Sequence, residues 1–325
     1  MCTKDFNPSS KYTPCLTLHW ITLFYIAFMS YKVEQLPESY GLVGEAPHWD
    51  TETQSLYFVD IPNAKLLRYD YKENKTYSAK VENEKQTSFI IPIEGEIGKF
   101  AVGCGCRVAV VAWDGVAPIV KVERIAYTLQ QGDEVCKHNF NDGKADPRGR
   151  LFTGTIYGDF RESNPLGELY RFEKEQPMAV IRSGITLSNG LAWNEKTNKF
   201  YYIDSNEYEV NEYDYDLDTG VASNPKVVFK HADMPDGMTI DTEGNIYVAI
   251  FTGHTVYKVN PSTREILLAI KLPTLHVTSV AFGGPNLDIL FVTTSSFGDE
   301  PAPAGYTFKV TGLGTKGLPM RKVKI

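Results

Sequence analysis

Leu56-Tyr57-Phe58-Val59-Asp60 is a short run of large apolar side chains, and runs of the same kind return five times along the chain. They are Phe100-Ala101-Val102-Gly103-Cys104, Leu151-Phe152-Thr153-Gly154-Thr155, Phe200-Tyr201-Tyr202-Ile203-Asp204, Ile246-Tyr247-Val248-Ala249-Ile250 and Leu290-Phe291-Val292-Thr293-Thr294. Their starts lie 44, 51, 49, 46 and 44 residues apart. Aromatic and β-branched residues in runs this short read as strands. Five of the six follow a polar turn, namely Asp50–Thr53, Asp146–Gly149, Asn194–Thr197, Asp241–Gly244 and Gly284–Leu287, whose Asx, Pro and Gly residues suit tight turns. A second strand follows each time: Leu66–Tyr69, Val108–Trp113, Leu169–Phe172, Val210–Tyr213, Val256–Val259 and Tyr306–Val310. A period near 45 residues with several strands per unit predicts propeller blades. The expectation is therefore an all-β, six-bladed β-propeller around a central channel.

The rest of the composition agrees. At 42% hydrophobic and 22% charged, the 325 residues are neither a disordered chain nor a coiled coil nor a collagen-like fibre. A net charge of −7 argues against a nucleic-acid binder, whose phosphate contacts need a basic face. The length alone would allow two domains, but the repeat makes residues 31–325 one. Residues 1–30 fall outside the period and read as an extension. Leu16–Met29 is apolar but short of the ~20 residues that span a bilayer. Lys4 and Lys11 precede it as in a signal peptide, whereas Ala27-Phe28-Met29 is no small-x-small cleavage site. The expectation is a dispensable extension with Met29 as an alternative start and a cytoplasmic protein, secreted if residues 1–29 act as a signal. Five cysteines, two of them in the extension, make no disulfide framework. Cys104-x-Cys106 reads as packing on one face of a strand.

Four segments carry polar residues where strands should be apolar: Gly44–Trp49, Phe140–Lys144, Leu187–Leu191 and Met234–Met238. Asp142-Gly143, Asn189-Gly190 and Asp236-Gly237 recur 47 residues apart. Each pair alone is ordinary turn chemistry. Phased with the blades, the set would aim side chains at one central place. Glu45, Asn189 and Asp236 would offer hard oxygen donors with two negative charges, a set suited to Ca²⁺, Mg²⁺ or Mn²⁺ and less strictly to Zn²⁺. A bound cation would offset the cost of burying the carboxylates. No Gly-x-Ser-x-Gly elbow, HExxH, Walker loop or EF-hand loop occurs, and the six His lack metal-ligand spacing.

In these segments the sequence resembles the regucalcin, or senescence marker protein, family, which includes gluconolactonases and the firefly luciferin-regenerating enzyme. The likeness runs from about Tyr31 to Ile325 and looks strongest to insect members. Its carriers are Gly44–Trp49, Phe140–Lys144, Ser188–Trp193, Pro235–Met238, Val280–Asp288 and Val310–Gly314. The resemblance implies a six-bladed propeller with one divalent cation in the channel, Ca²⁺ first, with Zn²⁺, Mn²⁺ or Mg²⁺ as alternatives. By motif, Glu45, Asn189 and Asp236 match the metal ligands, and Asp236 also the family's acid/base residue. Asn141 matches a residue that binds the sugar lactone. Two substrate positions depart from the family: Asn139 stands where many members have Arg, and Asp159 stands where they have Glu. Loss of Arg removes a forked, charged donor. The expected activity is a metal-dependent, gluconolactonase-type hydrolysis of lactones by a calcium-binding protein. A non-enzymatic calcium-binding propeller and a hydrolase of another ester-like substrate, such as an organophosphate or a luciferin derivative, are the alternatives. The expected partner is a small-molecule lactone, with no nucleic acid, no stable membrane association, and a monomer or weak dimer.

Overall fold

The computed structural model describes residues 31–129, 136–159, 161 and 163–325. The expectations for residues 1–30 lie outside the described residues. Strand β1 (Lys32–Gln35) comes first. Blade 1 follows as β2 (Gly44–Asp50), β3 (Ser55–Asp60), β4 (Lys65–Asp70) and β5 (Lys75–Val81). Blade 2 has β6 (Ile90–Pro92), β7 (Lys99–Cys104), β8 (Arg107–Ala112) and β10 (Val122–Thr128), while β9 (Ile119–Val120) returns to pair in parallel with β5. Blade 3 is β11 (His138–Ala145), β12 (Leu151–Tyr157), β13 (Gly167–Phe172) and β14 (Ala179–Ile185). Blade 4 is β15 (Ser188–Asn194), β16 (Lys199–Asp204), β17 (Glu209–Tyr215) and β18 (Ala222–Lys230). Blade 5 is β19 (Pro235–Ile240), β20 (Ile246–Ile250), β21 (Thr255–Asn260) and β22 (Glu265–Lys271). Blade 6 takes β23 (His276–Gly283), β24 (Ile289–Ser295), β25 (Phe308–Thr311) and, as its outermost strand, β1. Neighbouring blades touch all the way round, through their innermost strands except where blade 2 meets β11 through β7, and β23 lies against β2, so the six sheets form a closed propeller. Among the described residues there is no α-helix, and a 3₁₀ turn lies at Ser205–Glu207.

All six repeating runs are the second strands of their blades. Their unbroken apolar character has a geometric cause. Successive side chains of a strand point to opposite faces, and in a propeller both faces of a blade meet another blade. Leu56 and Phe58 pack toward blade 6 with Trp49 and Phe291, while Tyr57 and Val59 pack toward blade 2. Phe200 and Tyr202 join Phe152 and Trp193 of the blade 3–4 interface, and Tyr201 and Ile203 join Met238 and Val248 at the next. Truncating any such aromatic would cost ~3–5 kcal/mol.

The polar turns join each inner strand to its second strand. Asp50, Asp146, Asn194 and Asp241 each accept a hydrogen bond from the backbone N–H two residues on, at 3.2, 2.9, 3.1 and 3.0 Å. That is the Asx-turn chemistry expected of them. Asp146 is also fully buried and bound by Arg150 Nε at 2.7 Å and by the Tyr215 hydroxyl at 2.6 Å, which ties blade 3 to blade 4.

These turns form one mouth of the channel, and residues 313–325 lie across it. Gly317 N donates to Leu287 O, Thr242 N to Lys316 O, Trp49 N to Met320 Sδ and Lys324 N to Gly149 O. Arg321 pairs with Glu195 at 2.9 Å, Lys322 with Glu52 at 2.7 Å, and Val323 bridges Ile93. The segment therefore touches every blade, and Val323 is fully buried.

One cysteine expectation is corrected. β7 ends at the buried Cys104, and Cys106 sits beyond Gly105 (φ 58°) in the turn to β8. The two thiols do not share a strand face.

Candidate metal centre

Every inner strand carries an irregularity at the same level. The pairing skips a residue between Glu45 and His48, Phe140 and Gly143, Asn189 and Leu191, Pro235 and Met238, and Val277 and Ser279. In blade 2 Ser88 N donates to Gly103 O while Gly103 N donates to Phe89 O, the same doubling. A β-bulge re-aims the side chains around it. Register places Glu45, Ser88, Asn141, Asn189, Asp236 and Thr278 at equivalent positions, one polar residue from each blade.

This corrects the phasing in blade 3. The register partner of Asn189 and Asp236 is Asn141, not Asp142. Asp142 occupies the bulge position that Gly190 and Gly237 take in blades 4 and 5, and Ala46 takes in blade 1 with φ 49°. The glycines there answer a close approach. A Cβ on Gly190 would stand 2.7 Å from Asp236 O, and one on Gly237 would stand 1.9 Å from Ser279 Oγ.

The strands hold the ring residues by named bonds. Asp60 accepts from Val43 N at 3.3 Å, just before Glu45. Asp204 accepts from Thr186 N and Leu187 N, each at 2.9 Å, just before Asn189. The Asn189 amide is oriented at both ends. Its Nδ2 donates to Ser205 Oγ at 2.8 Å, and its Oδ1 accepts from Asn141 Nδ2 at 2.7 Å. Ser205 in turn donates to Pro235 O at 2.6 Å, next to Asp236. The structure thus brings Asn141 and Asn189 into contact, and Glu45 and Asp236 into the same electrostatic neighbourhood.

The carboxylates are short of compensation. Glu45 is 7% and Asp236 6% exposed. Glu45 Oε2 accepts only from the next backbone amide, Ala46 N, at 2.7 Å, and among the described residues no donor reaches the Asp236 carboxylate. Burial, then repulsion from Asp142, pushes Glu45 up to about 8. Burial, then Glu45 and Asp142, pushes Asp236 well above the usual carboxylate range. Asp142 is raised too, chiefly by burial. Like charges crowded in a desolvated place raise one another in this way. The donor chemistry therefore fits a hard divalent ion held by Glu45, Asn189 and Asp236. Among the described residues no cluster of three or more His, Cys, Asp and Glu side chains is arranged for a metal; the set named here includes an amide. His48, 2% exposed, is pushed down to about 3 by burial and stays neutral.

The two substrate positions are engaged within the protein. Asn139 Oδ1 accepts from Gln86 Nε2 at 3.0 Å. Asp159 lies in the loop after β12, where Arg161 N and Nε donate to its Oδ1 at 3.0 and 2.8 Å, and this pairing lowers it to about 2. Among the described residues no hydrogen bond or ion pair joins Asp159 to the ring. Sequence reasoning missed Lys144, whose Nζ donates to Leu191 O and Met238 O at 2.8 Å each. Its signal was available: a lysine two residues past a buried Asp, inside a strand.

Residues 43–296 match the family described as the SMP-30/Gluconolactonase/LRE-like region. The chain is 36% identical to regucalcin of Danio rerio over 299 residues, covering 89% of this chain and 97% of the relative. Human regucalcin is 35% identical over 307 residues, with the same coverage. Among solved structures, a luciferin-regenerating enzyme superposes with a TM-score of 0.85 at 39% identity, covering 91% of this chain and all of the other. A calcium-binding regucalcin from Agrobacterium tumefaciens superposes at 0.78 with 18% identity, covering 91% and 98%, a likeness of fold alone.

Proposed function

Since the chain belongs to the SMP-30/gluconolactonase/LRE-like family, we propose that it is a metal-dependent lactonase whose centre is Glu45, Asn189 and Asp236. The observation that carries this reading is the ring itself. Equivalent bulges of three blades carry two buried carboxylates, one bound only by the next backbone amide and the other by no donor among the described residues, and one oriented amide oxygen. A divalent cation held there supplies Lewis acidity toward a lactone carbonyl. The chain's own residues do the rest. Asp236, buried and with no donor on its carboxylate among the described residues, would take a proton from the attacking water and return it to the departing ring oxygen, which leaves as a hydroxyl. Asn141, already bound to Asn189, has its amide beside the metal set and orients a substrate hydroxyl. Ser205 keeps the Asn189 oxygen turned inward. Calcium is the first expectation for the ion.

The experiment is Asp236→Asn, assayed for opening of gluconolactone with Ca²⁺, Mn²⁺, Zn²⁺ and Mg²⁺ in turn. We expect turnover to fall on the order of 10²–10⁴-fold. Undiminished turnover would sink the mechanism.

A second reading, a calcium-binding propeller without hydrolysis, draws on one observation. Asn139 and Asp159 are bound to Gln86 and Arg161, so neither offers the charged recognition the family uses. Calorimetric calcium binding beside a panel of lactones and esters separates the readings. Binding with no hydrolysis on the panel favours the second, and hydrolysis of an aromatic ester or organophosphate alone redirects the substrate class.

A further inference from the structure

Two carboxylates serve the reading above, but a third, Asp142, is buried beside them at 6% exposure. Glu45, Asp142 and Asp236 all act on one another electrostatically. Lys144 lies two residues past Asp142 on β11 and draws both Glu45 and Asp142 down. It is not a solvated surface lysine. Its Nζ donates to Leu191 O of blade 4 and Met238 O of blade 5, each at 2.8 Å. Both carbonyls belong to residues two past a metal ligand, Asn189 and Asp236. Met320 of the C-terminal segment lines the same two pockets as Lys144. The ammonium is thus fixed between the ring and the floor of the channel.

From this placement we infer that Lys144 is the resident counter-charge of the centre. Three carboxylates against one fixed ammonium leave a charge of −2, which a divalent ion balances. Without the ammonium the site would carry −3 and shift its preference toward trivalent ions. Its two carbonyl bonds also hold the Asn189 and Asp236 strands at their spacing, so it is a positioning residue and not a group that touches substrate.

The inference rests on the metal reading above, and its test keeps the two apart. Ca²⁺ and Tb³⁺ have similar radii and the same preference for oxygen, so the ratio of their affinities cancels geometry and reports charge. Both are measured by calorimetry on the full chain. Lys144→Met should raise the Tb³⁺/Ca²⁺ affinity ratio about tenfold or more, because the third charge of Tb³⁺ no longer meets a fixed positive charge. Lys144→Arg should keep the wild-type ratio. Asp142→Asn, which leaves the site at −1, should lower the ratio about tenfold. A lysine that only ties blades together would change both affinities in step. Ratios that stay within about twofold of wild type, or that move the same way in Lys144→Met and Asp142→Asn, overturn the inference. If Lys144→Met does not fold, a ratio that fails to drop in Asp142→Asn still overturns it. Wild-type protein that takes up neither ion defeats the metal reading and this inference together. Wild type that binds both, with an unmoved ratio in the variants, defeats this inference alone.

Discussion

Glu45→Gln should stabilise the metal-free protein near neutral pH and weaken the calcium-loaded one. Glu45 is an acid whose folded-state pKa is raised, from 4.5 to about 8. Between those values the folded chain holds a proton that the unfolded chain releases. Stability of the metal-free protein therefore falls as pH climbs through that window, and the penalty is absent below its lower edge. At about pH 7.5 roughly three pH units of the window have been crossed, which at ~1.4 kcal/mol each sets a ceiling of ~4 kcal/mol. The three carboxylates share protons, so part of the relief from removing one passes to Asp142 and Asp236. The expected gain is ~1–3 kcal/mol, or on the order of 2–6 °C in midpoint for a chain of this size. Gln keeps an oxygen for the bond from Ala46 N, so little else is lost. With saturating calcium the order should reverse, because the wild type gains RT ln(1 + [L]/Kd), ~2.7 kcal/mol at a hundredfold excess over Kd. The assay is thermal denaturation of chelator-stripped protein at about pH 5 and about pH 7.5, repeated with calcium. The reasoning fails if metal-free wild type is the more stable at the higher pH, or if the gap is equal at both.

Two further outcomes test the scaffold. Gly237→Ala places a methyl 1.9 Å from Ser279 Oγ and 2.6 Å from its Cα, so the bulge beside Asp236 must move. Thermal and calorimetric measurement should show a loss of ~1–3 kcal/mol together with weakened metal binding. Val323→Asp puts a charge into the fully buried tail position that bridges Ile93. It should cost ~3 kcal/mol or more in denaturation, and an unchanged midpoint would mean that the tail does not seal the lower mouth.

Much of the fold was readable because both faces of each second strand are buried, which writes itself as a solid apolar run such as Phe200–Ile203. The Asx turns were readable because Asp50, Asp146, Asn194 and Asp241 each act within two residues of themselves. Closure of blade 6 by β1 was not, since Lys32–Gln35 is a half-exposed strand with no pattern of its own. In the site, Glu45, Asn189 and Asp236 stood out as polar residues before apolar strands. Blade 3 misled because an Asx-Gly pair marks sequence spacing, whereas the ladder counts hydrogen-bonded partners. Asp142-Gly143 lies 47 residues before Asn189-Gly190, but the register partner, Asn141, lies 48 before Asn189. Ser88 and Thr278 were invisible for a related reason. A single Ser or Thr carries no signal until six strands are laid side by side. Lys144 reads as a turn-flanking charge until two carbonyls from other blades are seen to receive it.

The pairing of β1 with β25 has a kinetic consequence. Blade 6 is assembled from residues 276–311 and from residues 32–35, so among the described strands its outer edge is the first made and its neighbour the last. On the ribosome, blades 1 to 5 can form while β1 has nothing to pair with, and β2 has no β23 beside it. The ring can shut only when Thr311 has left the exit tunnel, and the floor laid by residues 313–325 comes later still. Until β23 emerges Glu45 faces no Thr278, and the ring of polar residues that would recognise a cation is incomplete. The ring is therefore a property of all six blades together. A nascent chain stalled between blade 5 and blade 6 would hold five folded sheets and two open edges, which is a substrate for chaperones or for aggregation rather than a weaker version of the finished protein.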